Sequence, residues 1–268
     1  MSWPAVPDDP WSPHAWRSQA FDGFRDLLAP FGEHLTWPTL ADLEREWLVR
    51  HEVTAASNVA LRLIRQKEKS RRARPRNRGD LYDVSVYNGQ LPTRANNWHD
   101  FFNVLVFAAF AHSKRALHVR HCRILEERVP AQIQTLPGTR TREQDHLAML
   151  DEGGVLLAVD SADAESLVQW LDTAQHERLR TAIDRGKIRA WLIGHAHLEH
   201  LAINSISTNS APLPRAKPVV LDVGVGACRA QVDDALATRL AAPSVEFLQT
   251  GWRAVPLDCL YCDLSRQS

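Results

Sequence analysis

The segment Leu91–His121 constrains the fold of this chain most, because it contains the longest apolar run, "VLVFAAFA" (Val104–Ala111). Eight residues are far fewer than the ~20 needed to cross a bilayer, so we expect no membrane segment and a run buried inside the protein. Phe101, Leu105 and their apolar neighbours fall on one side of a helix. We therefore predict two helices, at roughly residues 97–111 and 113–127.

The segments before this region predict helices and one strand. "SPHAWRSQAFDGFRDLL" and "TWPTLADLEREWLVRHEV" carry apolar residues at helical spacing, and Thr39 with Asp42 forms a candidate helix cap at the start of the second. "DLYDVSVYNGQ" alternates in polarity and predicts a strand that turns at Asn88–Gly89.

The segments after it alternate between predicted helices and strands. "TREQDHLAMLDE", residues 161–186 (stopped by Gly186), "KIRAWLIGHAHLEHLAINSI" and "QVDDALATRLAA" predict helices, whereas "GGVLLAV" and "KPVVLDVGVG" predict buried strands. The expected fold is α+β and predominantly helical, with a small β-sheet. We expect a single domain, residues 1–268, in which a helical N-terminal lobe (1–64) packs on a helix-rich core (81–268), with a basic loop (65–80) between them.

Charge and cysteine content indicate which binding partners and which cellular compartment are expected. Lys plus Arg equals Asp plus Glu at 32 each, so no global field draws the molecule to nucleic acid or an anionic membrane. The run Arg65–Arg78 is basic but has no aromatic residue to stack a base, and it is interpreted as a solvated loop. Four cysteines and no signal-like start, in "MSWPAVPDDPWSPHAW", favour a cytoplasmic setting.

Several histidines and carboxylates stand at spacings that suit a site. His99 and Asn103 lie four residues apart on one helical face, near a predicted helix start. His195 and Glu199 in "GHAHLEHL" share a face in the same way, a spacing typical of metal ligands. Asp151 precedes Glu152 directly before a buried strand, where ligands commonly bind in mixed α/β proteins. Each of these features taken alone is also typical of capping, packing or loop residues.

Three shorter motifs carry less weight. "GHAH" with "RGDLYD" and "NNWHD" is similar to the metal-binding signature of calcineurin-like phosphoesterases, but the Asp-x-His that opens that signature is missing. "VVLDVGVGA" is similar to a methyltransferase glycine loop, but too little chain follows for the remaining βα units. Cys259 and Cys262 have Cys-x-x-Cys spacing without the second pair that a zinc site requires.

Three long motifs together resemble one family. "LPTRANNWHDFFNVLVFAAFAHSKRALHVRH", "RTREQDHLAMLDEGGVLLAV" and "LIGHAHLEHL" occur in the order and spacing of the bacterial domain-of-unknown-function family 3025, from about Tyr82 to the C-terminus. The resemblance implies a set of shared polar residues rather than a reaction. His118 and His197 depart from the family pattern. The matching positions are Thr93, Arg94, Trp98, His99, Asp100, Asn103, Lys114, His121, Arg142, Asp145, Asp151, Glu152, Gly194, His195 and Glu199.

This polar set leads to two functional hypotheses. The first is an enzyme acting on a small-molecule substrate, by default a metal-dependent hydrolase, or a metal-free acid–base enzyme with a His–Asp pair. The second is a non-catalytic binding module with an internal charged network, whose Trp-rich loops form the partner surface; the chain has nine Trp. For the enzyme, the catalytic candidates are His99, Asp100, Asn103, Lys114 and Arg142. The candidate ligands of a divalent metal ion are His99, His121, Asp145, Asp151, Glu152 and His195.

Overall fold

The computed structural model describes residues 9–66, 81–128, 140–207, 211–245, 253–261 and 263–264. Helices dominate and the strands are few, so the predicted α+β, predominantly helical class is confirmed. Throughout these ranges, no helix combines the length and the apolar character needed to span a bilayer. Most of the predicted basic loop, from residue 67 to 80, and Cys262 lie outside the described residues.

The N-terminal segment is helical but divided into short elements. The predicted helix cap is confirmed: the Thr39 hydroxyl accepts from the Asp42 backbone N–H, and the Asp42 carboxylate accepts from the Thr39 backbone N–H. The elements are a 3-10 helix (Gln19–Phe24), α1 (Arg25–Leu28), a 3-10 helix (Ala29–Phe31), α2 (Leu40–Leu43) and a π-helix (Glu44–Val49).

An aromatic cluster joins this segment to the first long helix, α4 (Trp98–Ala109). The Trp98 indole is fully buried, stacks on Trp11 at a ring-centroid distance of 5.2 Å and meets Trp37 at 4.5 Å. Trp47 is also fully buried and contacts Phe101 of α4 edge to face. Trp47 and Trp98 are therefore core residues, and Trp11 and Trp37 are partly buried against them.

The region before α4 differs from the prediction. Residues Tyr82–Tyr87 form a helix, α3, rather than a strand. A helix places Tyr82 and Val86 four residues apart on one side: Val86 is buried, and Tyr82, although 38% exposed, bonds through its hydroxyl to Asn103. The turn at Asn88–Gly89 is present, with Gly89 at φ 87°. It leads into β2 (Gln90–Thr93), which pairs in parallel with β1 (Arg62–Arg65).

Three predicted helices follow and are confirmed. They are α4, α5 (Ala111–Arg128) and α6 (Arg142–Gly153). The Asn97 side chain caps α4 by accepting from the Asp100 backbone N–H. At the start of α5, the Asp233 carboxylate accepts from the backbone N–H groups of residues 112 and 113. The Asp233 contacts satisfy free N–H groups at the start of α5, where only residue 110 separates it from α4.

The main sheet has the order β4-β3-β5-β6. The central strand, β3 (Gly154–Val159), is buried along its whole length, as predicted. It pairs antiparallel with β4 (Ile188–Leu192) and in parallel with β5 (Arg215–Asp222). A short β6 (Val255–Pro256) and a 3-10 helix (Leu257–Cys259) complete the described C-terminal part. The last predicted helix is confirmed as α10 (Arg229–Ala241).

Two segments that were each predicted as one helix divide into two elements in the structure. The segment predicted as one helix from residue 187 to 206 divides into β4 and α9 (His195–Ile206), because the backbone of residues 188–192 pairs with β3. The segment 161–186 divides into α7 (Ser161–Asp172) and α8 (His176–Asp184) at Ala174, whose φ is 55°. Gly186, with φ 67°, follows α8 as predicted.

Candidate functional site

The ends of three helices meet at one place in the fold. His99 is the second residue of α4, His195 is the first residue of α9, and Glu152 is the last but one residue of α6. Gly194 makes this meeting possible, because a Cβ there would lie 2.6 Å from the Gly153 Cα. Only glycine lets the start of α9 pack directly on the junction between α6 and β3.

The three side chains point their ligand atoms at one another. His195 Nε2 lies 3.2 Å from His99 Nε2 and 3.5 Å from Glu152 Oε2. One nitrogen or oxygen from each residue falls within 4.8 Å of both others. This set of two imidazoles and one carboxylate is of the type that binds zinc and other first-row transition metals.

Glu199 fixes the orientation of the first imidazole. Its Oε2 lies 2.9 Å from His99 Nδ1, and this hydrogen bond is the main reason that the pKa of His99 is raised. A carboxylate beside Nδ1 keeps a proton on Nδ1. In the neutral ring, Nε2 then carries the lone pair. Because α9 carries both Glu199 and His195, one helix contacts both edges of the His99 ring.

The second imidazole is neutral at physiological pH. Only 2% of the His195 side chain is exposed, and burial lowers its pKa to about 3. The backbone carbonyl of Asp151 favours a proton on this ring, although Nδ1 makes no hydrogen bond of normal geometry. A neutral imidazole carries one lone pair, and the lone pair of His195 is therefore available at Nε2.

The site opens to solvent on one side. The Glu152 side chain is 52% exposed and that of His99 is 28% exposed, in contrast to the buried His195. Water or a small molecule can therefore reach Glu152 and the exposed part of His99.

A buried layer of polar groups lies behind His195. The Lys114 side chain is completely buried, and its ammonium group donates to the Asp151 carboxylate and, at 3.0 Å, to Asn103 Oδ1. It also lies 4.3 Å from the centroid of the Phe107 ring. Although burial opposes it, the Lys114 charge holds the pKa of Asp151 well below its usual range. Lys114 and Asp151 are thus a sealed ion pair next to the open site.

The polar layer continues away from the open site. Asn103 Nδ2 donates to the Tyr82 hydroxyl at 2.8 Å, and His118 Nδ1 lies 3.1 Å from Asp83 Oδ1. His121 is buried beside this second pair, and burial lowers its pKa. It lies seven residues beyond Lys114 on α5, roughly 10 Å along the helix axis. The structure therefore places His121 with Asp83 and His118 and not with His99.

Asp100 is engaged elsewhere and does not form a pair with His99. Its two carboxylate oxygens accept from Arg94, at 2.9 Å from Nε and 2.8 Å from Nη2. The acidic partner of His99 is Glu199, 100 residues away in the chain.

Two other predicted site residues lie on the exposed surface of α6. Arg142 and Asp145 are both exposed. Asp145 precedes Glu152 by seven residues, which is roughly 10 Å of helix, and Arg142 precedes it by roughly 15 Å. The structure does not bring either residue to the three ligand atoms.

The other histidines of α9 face away from the site. The His197 ring packs against Gly153, and burial lowers its pKa to about 4. The His200 ring lies 3.2 Å from the Asn204 side-chain amide. Of the two histidine-bearing faces of α9, the one with His195 and Glu199 is directed at the site.

Tyr82, Asp83 and Glu199 are absent from the catalytic and metal-ligand candidates predicted from the sequence, although Glu199 stands at metal-ligand spacing there. For Glu199 the signal was its four-residue spacing from His195. For Tyr82 and Asp83 the predicted strand concealed the signal, because only a helix directs both of them toward α5.

Comparison with known proteins gives one match. A family model described as a protein of unknown function (DUF3025) matches residues 61–259. No curated protein and no solved structure matches the chain. The matched range includes every residue of the site described above.

Proposed function

The chain belongs to the family of proteins of unknown function DUF3025, and from the geometry of its own side chains we propose that it is a metal-dependent hydrolase acting on a small molecule. The ligands of the divalent ion would be His99, His195 and Glu152. Asp145, His121 and Asp151 are left out of this proposed set, because the first two lie elsewhere and the third is paired with Lys114.

One observation carries the proposal: the Nε2 atoms of two imidazole rings face each other at 3.2 Å, with a carboxylate oxygen 3.5 Å from one of them. Three electron-rich atoms this close repel one another unless a proton or a cation lies between them. Ligands bound at about 2.0–2.1 Å to a tetrahedral ion are roughly 3.3–3.4 Å apart. The two separations from His195 Nε2 match that arrangement, and the third lies within 4.8 Å.

The surrounding residues support this chemistry. A bound divalent ion would supply an activated water and polarise a substrate carbonyl or phosphoryl group. Glu199 holds the His99 ring in position through Nδ1, the arrangement by which carboxylates commonly orient metal-bound histidines. The exposed side of Glu152 provides access for water and substrate. Lys114 is sealed behind His195, so its charge acts on the site at a distance and not by direct contact with substrate.

The first test is the metal content of protein purified without added metal. We expect close to one zinc, manganese or iron per chain by mass spectrometry, and its loss in His99→Ala, His195→Ala and Glu152→Ala. Asp145→Ala is the matched control, because it removes a carboxylate from the exposed face of the same helix. No bound metal in the native protein, or equal loss in Asp145→Ala, would contradict the proposed centre.

The second test addresses the reaction. We expect the native protein to hydrolyse at least one member of a panel of nitrophenyl carboxylic and phosphoric esters. Chelation of the metal and His195→Ala should abolish this activity, and Asp145→Ala should retain it. Metal bound at the site without hydrolysis of any ester would contradict the hydrolase and leave the metal centre in place. Hydrolysis that survives chelation would instead favour a metal-free acid–base enzyme using His99 and Glu199.

The alternative function, a non-catalytic module with an internal charged network, is favoured by one observation. Lys114 and Asp151 are paired and sealed from solvent, as such a network requires. Its Trp-rich partner surface has little support among the described tryptophans: Trp16, Trp47, Trp98 and Trp191 are buried, and Trp11, Trp37 and Trp170 are partly buried against the core. The metal analysis separates the two functions, because a purely structural network holds no metal.

A further inference from the structure

The guanidinium group of Arg94 is held by Asp100, the residue that directly follows His99. Asp100, only 9% exposed, binds it through Nε and Nη2 and also accepts from the Arg94 backbone N–H. Such a two-point contact fixes the plane of the guanidinium. The other terminal nitrogen, Nη1, takes no part in this pair, and half of the side chain is exposed.

Arg94 lies close to the carboxylate that orients His99. The charge of Glu199 acts on the Arg94 guanidinium, and the charge of Asp100 acts on the His99 ring. Because His99 and Asp100 are consecutive on the first turn of α4, the His99–Glu199 and Arg94–Asp100 pairs are neighbours. Arg94, half of whose side chain is exposed, therefore lies next to the residues that form the open site.

Near the open site, the positive groups are two helix ends and Arg94, and a bound divalent ion would offset the carboxylates of Glu152 and Glu199. His99 and His195 stand at the N-terminal ends of α4 and α9, both twelve residues long. The N-terminal ends of helices carry partial positive charge. Lys114 is buried in its pair with Asp151, which leaves Arg94 as the partly exposed cation that the observations place next to the centre.

We propose that Arg94 is the substrate-anchoring residue of the site. The substrate then carries an oxyanion, either a carboxylate or a phosphate, that binds to the guanidinium group while the scissile group lies at the metal. This inference rests on the proposed function, because it takes the metal centre as the reacting part of the site. The role of Asp100 is then to preorganise Arg94, which explains why it is not paired with His99.

The test measures anion binding to protein loaded with cobalt(II), with inorganic phosphate and benzoate as separate probes. Calorimetry gives the affinity, and the visible absorption of cobalt reports whether the anion reaches the metal. We expect Arg94→Met to weaken binding of at least one anion by tenfold or more, with cobalt affinity unchanged. The matched control is Arg25→Met, since Arg25 is equally exposed and also paired with an aspartate, Asp22.

Arg94→Met leaves the buried Asp100 without its partner and could unfold the start of α4. The variant Arg94→Met/Asp100→Asn removes both charges and keeps the inference testable, with the same expected loss. An anion affinity within twofold of the native value in a folded double variant would overturn the inference. Native protein that binds cobalt but neither anion would also overturn it. Both results would still be compatible with the proposed metal centre. Failure of the native protein to bind cobalt would overturn the proposed function and this inference together.

Discussion

At the scale of single residues, Gly194 decides where the His195 ring lies. A Cβ at this position would lie 2.6 Å from the backbone of Gly153 and Gly154. Backbone atoms cannot give way as the end of a flexible side chain can, so any larger residue has to push α9 away from the junction of α6 and β3. The distance between His195 Nε2 and Glu152 Oε2 depends on that contact.

Gly194→Ala is therefore expected to reduce both stability and metal affinity. Overpacking of this kind costs about 1–3 kcal/mol, measurable by urea unfolding, and calorimetry with zinc should show weaker binding. Gly226→Ala is the control, because a Cβ there meets no atom within 4 Å, and its effect should be below about 0.5 kcal/mol. Equal stability of the two variants would show that α9 can shift freely.

At the scale of secondary-structure elements, Lys114 joins three helices. It stands on α5 and bonds to Asn103 on α4 and Asp151 on α6. A buried charge that loses its partner is strongly unfavourable, whereas removal of both charges is tolerated far better. The relative positions of α4 and α6, and hence of His99 and Glu152, depend on this one ammonium group.

Lys114→Met should destabilise the protein by about 3–5 kcal/mol, because Asp151 is then buried without a cation. In Lys114→Met/Asp151→Asn a substantial part of this loss should be recovered. The comparison is Lys187→Met, which breaks an exposed pair with Asp163 at 3.8 Å and should change stability by less than about 1 kcal/mol. If chemical denaturation finds the double variant no more stable than Lys114→Met, the loss does not come from the unpaired charge.

At the scale of the whole molecule, the aromatic cluster around Trp98 ties the N-terminal segment to the helices that carry the site. Trp98 contacts Trp11, Trp37 and Phe102, and it directly precedes His99. In the sequence, the tryptophans suggest a partner surface. Most of those that the structure describes are buried and close the core instead.

Trp98→Ala should lower the free energy of unfolding by about 3–5 kcal/mol, as expected for a large buried aromatic residue. It should also weaken metal binding, because the start of α4 loses its support. Val168→Ala on α7, whose side chain is 45% exposed, is the control and should be nearly neutral. A Trp98→Ala variant with native thermal stability would mean that the N-terminal segment is not needed for the fold of the core.

The sequence by itself determined the features that depend on near neighbours in the chain. The cap at Thr39, the buried strand β3 and the helices α4, α5 and α6 follow from residue spacing over a few turns. Local patterns predict secondary structure less well where a helix and a strand both fit the same residues. Residues 82–87 are such a segment, predicted as a strand and found as a helix. The presence of His99, Glu152 and His195 in one site was also proposed from the sequence, as part of a larger set.

Only the tertiary structure decided which of these polar groups meet. By sequence alone, Asp145 and Asp151 are as suitable metal ligands as Glu152. The approach of α9 at Gly194 brings the Glu152 carboxylate to the His195 ring. His99 takes Glu199 as its partner and leaves Asp100 to Arg94, although Asp100 is adjacent in sequence. Residue spacing fixes the face of a helix on which a side chain lies. The neighbour that this face meets is set by packing between segments far apart in the chain, and no local pattern contains that information.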